Sequence, residues 1–408
     1  MKFVVVTYGT EGDTRPMGVL CRALMDAGHG VHLLAAAGTL GSAEALGVPT
    51  TALAGDMQGA LRQETDTIHK GGGFGDTARI LSAIANANAE AWLRATVAAG
   101  EGCDAVILSG LAAFIGLSAA EFLDVPGIGA ALFPLTPTRE FASPFLRPGT
   151  LPRWLNRASQ RLVGNALWWA FRSAVNEARA AVCRLPPRRR LWTEHPLLYG
   201  ISPSLVPQPA DWPENARICG QWLLPATDWS PPAALAEFLA AGEPPVYLGF
   251  GSMSGFGRGR IMREAIDALR GRRVVLTPGW SDIAAADLPP NVHLLEAAPH
   301  GWLFPRMALV VHHGGAGTTH AAARAGVPSV VVPFAADQFF WADRLRRVGA
   351  APAPVPAQGL TSDRLAQAIR EADGSAPRAG AASLGASIAR EDGLGTAVAA
   401  IEKLAAID

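Results

Sequence analysis

Charge, cysteine and long apolar runs are all scarce in this sequence, and each shortage closes off a class of protein. Asp, Glu, Lys and Arg make up 17% of the 408 residues, and 35 basic residues are matched by 35 acidic ones. A chain without a basic surplus lacks the electrostatic footprint of a nucleic-acid binder, so no nucleic-acid partner is expected. The four cysteines, Cys21, Cys103, Cys183 and Cys219, are far apart and form no C-x-x-C pair. That argues against a disulfide framework or a zinc knuckle and suits a reducing compartment. No run of about eighteen uncharged apolar residues occurs, so no membrane span is expected. The opening run Phe3–Val6 is too short for the core of a secretion signal, which makes the cytoplasm the expected location. Apolar residues, by contrast, are 49% of the chain, enough at this length for two buried cores.

The pattern along the chain alternates between strand and helix. Phe3–Thr7 reads as a buried parallel strand, Gly9 to Arg15 as a turn, and Met17 to Ala27 as a helix that starts near Pro16 and stops at Gly28. Val31–Leu34 is the next strand. Ala105–Leu108, Ala112–Phe122 and Gly127–Ala131 repeat the unit as strand, helix, strand. From Ser202 to Pro245 prolines punctuate the chain, which suits an interdomain linker. A second series then begins with strands at Val246–Phe250, Arg273–Thr277, Leu309–His312 and Ser329–Pro333. Helices are expected at Arg260–Leu269, Thr318–Ala325 and Asp337–Val348. The fold class is therefore α/β, with two doubly wound halves and a cleft between them. We divide the chain into an N-terminal domain 1–210, a linker 211–241 and a C-terminal domain 242–408. The last helix is a candidate to return to the first domain.

The most informative stretch is His312-His313-Gly314-Gly315-Ala316-Gly317-Thr318-Thr319. It follows a strand, is rich in glycine and opens a helix, the arrangement in which unpaired backbone N–H groups and the helix dipole meet an anion. Thr318 and Thr319 add hydroxyl donors, and an imidazole adds one more. The bland alternative is a tight turn with two incidental histidines. A second turn, Gly249-Phe250-Gly251-Ser252-Met253, also follows a strand and offers Ser252 to the same anion. Gly249, Gly251 and Gly255 miss the spacing of a dinucleotide fingerprint by one residue, and no G-x-x-x-x-G-K-[S/T] occurs, so neither rival nucleotide site is supported.

With these motifs in view, a family resemblance emerges. His300-Gly301-Trp302-Leu303-Phe304-Pro305-Arg306, His312 to Thr319, Arg324 to Pro328 and Pro333 to Gln338 together resemble the donor signature of family 1 glycosyltransferases. The wording is nearest the branch that holds sterol 3-β-glucosyltransferases and bacterial natural-product glycosyltransferases. Gly9–Pro16 and Gly251–Met253 match as well. The resemblance implies the GT-B fold, with two Rossmann-like domains facing each other across a cleft. It implies an enzyme that uses a nucleotide diphosphate sugar, with UDP-glucose favoured, and a hydrophobic small-molecule acceptor. It assigns Ser252, His300, His313, Gly315, Gly317 and Thr318 to the donor, and Asp337 and Gln338 to the hydroxyls of the sugar. The competing reading of Asp337 is a helix N-cap. Plant members carry a tryptophan for uracil stacking where this chain has Ala297, so the choice between UDP and dTDP stays open.

Transfer to an alcohol needs a proton acceptor near the attacking oxygen. The turn Thr10-Glu11-Gly12-Asp13-Thr14 follows the first strand and should face the cleft. The resemblance places Asp13 where many relatives carry a catalytic histidine and the nearest branch an aspartate, with Glu11 the local competitor and a cap on a helix beginning at Thr14 to Met17 the structural alternative. A single base implies one displacement with inversion. Neither a metal nor any other cofactor is expected. His29 and His32 read as structural.

On the acceptor side, Gly71-Gly72-Gly73-Phe74-Gly75 suggests a loop near the acceptor. The stretch 147–190 holds ten arginines and one acidic residue, Glu177, together with Trp154, Trp168 and Trp169. It reads either as a helix lining the acceptor pocket or as a peripheral contact with an anionic membrane. The lead reading is an inverting hexosyltransferase acting on a sterol, triterpenoid or polyketide. A dTDP-deoxysugar antibiotic-tailoring enzyme, a nucleotide-sugar epimerase and a catalytically silent partner of a transferase are the alternatives.

Overall fold

The computed structural model describes residues 1–56, 59, 74–224, 229–251, 258–279 and 288–406. Ser252 and Gly71–Gly73 lie outside the described residues, so their expected roles have no structural counterpart here.

Among the described residues the chain forms two wholly parallel sheets. The first has the order β3-β2-β1-β4-β5-β6-β7. Its strands are β1 (Lys2–Val6), β2 (Gly30–Ala36), β3 (Thr50–Leu53), β4 (Ala105–Leu108), β5 (Gly127–Ala131), β6 (Leu197–Tyr199) and β7 (Ala216–Ile218). The second has the order β10-β9-β8-β11-β12. It is made of β8 (Val246–Gly249), β9 (Val274–Thr277), β10 (Val292–Leu294), β11 (Leu309–His312) and β12 (Ser329–Val331). Such strands are buried on both faces, which is why Val4, Val5 and Val6 or Leu309, Val310 and Val311 read as unbroken apolar runs. The strand order reverses beside β1 and β4 in one sheet and beside β8 and β11 in the other. A parallel sheet opens a ligand crevice at such a point, at the carboxyl ends of its strands. Those ends carry the residues from Thr7 to Asp13, from Gly249 to Gly251, and from His312 to Gly315.

Two expectations need correction. The first helix starts at Glu11 and not near Pro16, running Glu11–Asp26 with Thr10 as its N-cap. Pro16 sits inside it and only forgoes one backbone bond near the N-terminal end. The proline-punctuated stretch is also more ordered than a plain linker: it supplies β7 to the first sheet and the helix Ala233–Ala240.

The halves are not merely tethered. Phe141, Tyr199, Ile201 and Trp212 of the first half share one buried cluster with Phe340, Trp341, Leu345 and Leu384 of the second. The final helix Gly393–Ala405 crosses back and buries Ala397, Ala400 and Ile401 against Phe3, Val5, Leu20 and Leu33. Its Glu402 also meets His29 at 2.9 Å, which accounts for that histidine structurally.

Candidate active site

At the end of β1 the chain turns through Gly9 and Thr10 into the first helix. Thr10 and Asp13 cap that helix reciprocally. The Thr10 hydroxyl accepts from the Gly12 N–H at 3.3 Å, and Asp13 Oδ2 accepts from the Thr10 N–H at 2.8 Å. A capping box of this kind satisfies two N–H groups that the helix itself leaves bare. Asp13 is thus the reciprocal partner within the cap and not the N-cap itself. Any Cβ on Gly9 would collide with the Asp13 carboxylate, so glycine is required for that carboxylate to lie where it does. Burial drives the Asp13 carboxyl above the usual carboxylate range, against the lowering pull of the two Thr10 hydrogen bonds. Glu11, by contrast, is half-exposed, and its Oε1 pairs with Arg15 at 3.0 Å.

The second half presents a different helix start. β11 ends at His312, and the helix Ala316–Ala325 begins after Gly315, which makes no side-chain cap. Its first-turn N–H groups therefore face outward without a side-chain acceptor, at the end of the helix dipole that attracts anions. Gly317 is exposed and Thr318 half-buried in that first turn. The two adjacent histidines do different work. His312 is wholly buried and its Nδ1 accepts from the Gly314 N–H at 3.1 Å, which shapes the turn. His313 points the other way, toward Gly251, where a Cβ would lie 3.0 Å from its ring. Its Nδ1 has no hydrogen-bond partner among the described residues. Burial depresses the His313 ring to about 4 and that of His312 to about 3, so both are neutral imidazoles at pH 7. A neutral ring still offers one N–H to a phosphate oxygen.

Gly314 has φ 92°, and a Cβ there would meet Val331 at 2.8 Å and the Gln338 carbonyl at 2.9 Å. That close approach interlocks the phosphate-type turn with the turn from Pro333 to Gln338. In the latter, Ala336 adopts φ 55°, a left-handed conformation that costs a non-glycine residue of order 1 kcal/mol or more. Gln338 holds it in place: its Oε1 accepts from the N–H groups of Phe334 at 2.7 Å and Ala335 at 3.1 Å. The sequence assigned Gln338 to the sugar. The structure shows its oxygen already engaged in shaping the turn that carries Asp337.

Asp337 occupies the N-cap position of the helix Gln338–Arg347, but its side chain caps nothing. One oxygen instead accepts from the indole N–H of Trp341 at 2.8 Å. Its pKa is pushed up to about 6, first by burial and further by the negative charge of Asp13. The charge of Asp13 thus reaches Asp337, one carboxylate from each half. His300 is also at this junction. It stacks on Phe304 with centroids 4.3 Å apart, and it feels Arg15 from the first half and His313 from its own, so with burial it falls to about 4.

Several positioning residues escaped the sequence reading. Trp341 packs on His320 at 4.9 Å, and His320 Nε2 accepts from the Ser202 N–H at 3.1 Å. Because a backbone N–H must donate there, the proton of His320 sits on Nδ1 and goes to Ala316 O, 2.8 Å away. The uncapped helix, the Asp337 anchor and the chain between the halves are therefore one connected unit. On the other side, Arg344 lies over both Phe141 and Phe340, at 4.7 and 4.8 Å, and Arg147 lies over Phe339 at 4.5 Å. The signal for Trp341 was present in the sequence, since residue i+4 on a helix lies beside residue i. The contacts with Ser202 and Phe141 have no local signal.

Comparison with known proteins agrees with this geometry. A family model described as erythromycin biosynthesis protein CIII-like, C-terminal domain, matches residues 264–401. The chain is 35% identical to O-mycaminosyltylonolide 6-deoxyallosyltransferase of Streptomyces fradiae, covering 99% of this chain and 98% of that protein. It is 31% identical to a sterol 3-beta-glucosyltransferase of Arabidopsis thaliana over 99% of this chain and 68% of that protein. With the sterol 3-beta-glucosyltransferase of Aspergillus fumigatus the identity is 31%, but only 30% of that longer protein is covered. Among solved structures, the glycotransferase of kitacinnamycin superposes with a TM-score of 0.69 at 20% identity, covering 99% of this chain and 98% of that one. The glycosyltransferase VinC in complex with dTDP superposes with a TM-score of 0.66 at 22% identity, covering 99% of each chain.

Two parallel α/β sheets with a bare helix N-terminus on one side of a cleft and a buried carboxylate on the other define a GT-B glycosyltransferase. More narrowly, the chain belongs to family 1 of these enzymes, in the branch shared by sterol 3-beta-glucosyltransferases and bacterial antibiotic glycosyltransferases.

Proposed function

We propose that the protein transfers a hexose, with inversion, from a nucleotide diphosphate sugar to a hydroxyl of a hydrophobic acceptor, with Asp13 as the general base. The observation that carries this reading is the placement of Asp13, fixed by its capping box after β1, and of Asp337, anchored by the Trp341 indole in the other half and near enough for the charge of Asp13 to raise it. A hydroxyl between them has a proton acceptor on one side and a sugar-holding carboxylate on the other. The acceptor's proton becomes acidic only as its oxygen bonds the anomeric carbon, so a carboxylate held by burial above its usual range suits the task. With Asp13 as the base and Asp337 given to the sugar hydroxyls, no further carboxylate is assigned as a nucleophile, which supports a single displacement. The departing diphosphate is met by the first-turn N–H groups of Ala316–Ala325, by Thr318 and by neutral His313. On this reading no metal or other cofactor takes part, and turnover survives EDTA.

UDP-glucose is the favoured donor and a sterol, triterpenoid or polyketide alcohol the favoured acceptor. A dTDP-deoxysugar donor is the second reading. It is favoured by the 35% identity to the Streptomyces fradiae deoxyallosyltransferase over nearly the full length of both chains, and by Ala297 where a uracil-stacking tryptophan stands in plant members. Mass-spectrometric detection of product, with UDP-glucose and dTDP-sugars offered separately to a mixed acceptor pool, separates the two. Transfer by the wild type that is lost in Asp13→Asn supports the base assignment. Full activity in Asp13→Asn rejects it, and altered nucleotide sugar released without acceptor rejects transfer in favour of epimerisation.

A further inference from the structure

We propose that the arginine-rich helix Asn156–Ala178, with the short helical turn Arg153–Leu155 before it, docks the protein on an anionic lipid bilayer. One face of this helix is ordinary core: Trp168, Phe171 and Val175 are buried with Phe114 and Trp192. The other face is unusual for a water-soluble surface. Eight large apolar side chains are notably exposed among the described residues, and Trp154, Leu162, Leu167 and Trp169 are four of them. Trp154 is 79% exposed, Leu162 64% and Trp169 59%.

The spacing puts Leu162 and Trp169 on one stripe, with Leu167 around the helix from them. Leu162 and Trp169 are seven residues apart, which is two helical turns and the same face. Arg161 and Arg172 are eleven apart, about three turns, and run beside them. From Trp154 to Trp169 the stripe extends about 23 Å at 1.5 Å per residue. Arg153, Arg161 and Arg172 are exposed and form no ion pair with any acid among the described residues. The one acid of the helix, Glu177, accepts a hydrogen bond from Ser173. Three other arginines of this region are engaged within the fold: Arg179 is buried against Glu121, Arg188 lies over Trp192, and Arg147 lies over Phe339.

Charge selects the occupant. A second copy meeting this face about a twofold axis would set arginine against arginine with no acid to neutralise them. A soluble polyanion would use the arginines but leave two tryptophans and a leucine in water. A bilayer with acidic headgroups uses both, with indole rings at the headgroup level and guanidinium groups among the phosphates. Docking would also bring the cleft to the surface. The loop preceding Trp154 closes on the donor half through Phe141 on Phe340, 5.4 Å apart, and through Arg147 on Phe339.

The inference stands on this face alone and not on the glycosyl-transfer reading, so its test needs no turnover. The full-length protein is sedimented with phosphatidylcholine vesicles and with vesicles containing 30% or so phosphatidylglycerol, at low and high salt. Binding is expected only to the anionic vesicles and is expected to weaken with salt. Arg153→Gln, Arg161→Gln and Arg172→Gln combined should lower partitioning about 100-fold, at about fivefold per arginine. Trp154→Ala with Trp169→Ala should lower it about tenfold. All five side chains are exposed, so unchanged circular dichroism is expected, and Arg270→Gln on the other half should bind as wild type. Equal binding to both vesicle types, or undiminished binding by both multiple variants, overturns the proposal. So does retention on heparin without vesicle binding, which reassigns the face to a soluble polyanion, or dimerisation abolished by the tryptophan variant.

Discussion

The two halves share a strand order, and each has a helix that starts where that order reverses, yet those two helices begin in opposite ways. The helix Glu11–Asp26 fills its own anion seat: Thr10 and Asp13 cap it, and Glu11 and Asp13 place two acids in its first turn. The helix Ala316–Ala325 starts after a glycine, with no side-chain cap and no acid in its first turn. One backbone device therefore serves two ends. Where the chain supplies the anion, the cap holds a carboxylate in a fixed pose, as the proposed base requires. Where it withholds one, the helix dipole and N–H groups wait for a phosphate. The folded protein can forgo the cap because the other end and flanks of that helix are pinned by His320 and by the buried cluster with Trp341.

The comparison is broken most severely at Asp13. Asparagine keeps an oxygen that can accept from the Thr10 N–H but cannot take a proton, so Asp13→Asn should fold normally and lose about 10²–10⁴ in kcat. Asp13→Ala should lose the same activity and, in addition, about 1 kcal/mol of stability from the broken cap. A thermal melt beside the rate measurement separates the roles; if the asparagine variant keeps its rate, Asp13 is a cap alone.

The next test makes the second helix resemble the first. Gly317 is exposed and a Cβ there meets nothing within 4 Å, so Gly317→Asp should be tolerated. An acid in the first turn should leave stability unchanged or raise it by about 0.3–1 kcal/mol. The same carboxylate would repel a diphosphate, so donor KM should rise about 100-fold, because like charges cost several kcal/mol at such a contact. Stability and donor affinity are thus expected to move in opposite directions, which calorimetry and initial rates read separately. His313→Ala removes a single neutral donor and should cost about 10- to 100-fold in kcat/KM, in keeping with about 1.5–3 kcal/mol for a hydrogen bond to a charged group.

How much of this was legible in the sequence follows from how local each feature is. The stretch His312 to Thr319 could be read because glycine content, strand pattern and helix onset all lie within eight residues. Asp13 could be singled out, but the start of its helix was misplaced. Pro16 looked like a first-turn proline, whereas the box formed by Thr10 and Asp13 begins the helix at Glu11. Choosing between His312 and His313 depends on which one the strand buries, and only His312 belongs to β11. Gln338 is assigned to the sugar by the family resemblance, and the role of its oxygen within the fold carries no sequence signal. The strained turn at Ala336, which occupies its oxygen, appears only once the backbone is folded. The ties of Ser202 to His320 and of Phe141 to Phe340 join residues far apart in the chain, and no local pattern announces them.

The smallest effect sharpens the picture of Asp337. If Asp337 holds the sugar as proposed, its carboxylate must be ionised to accept two hydrogen bonds from sugar hydroxyls, so donor binding should weaken as pH falls through about 6. The indole N–H of Trp341 favours the ionised form, and the charge of Asp13 disfavours it. Trp341→Phe removes the first influence with little change of shape, so the acid limb of donor affinity should move to higher pH, with KM at neutral pH rising several-fold for one lost hydrogen bond of about 1 kcal/mol. Asp13→Asn removes the second, so the same limb should move to lower pH. Because that variant turns over poorly, the limb is read there by calorimetric binding of the nucleotide sugar. Opposite shifts in the two variants would tie Asp337 to both neighbours across the cleft. Parallel shifts, or none, would mean that the two carboxylates do not face a common substrate.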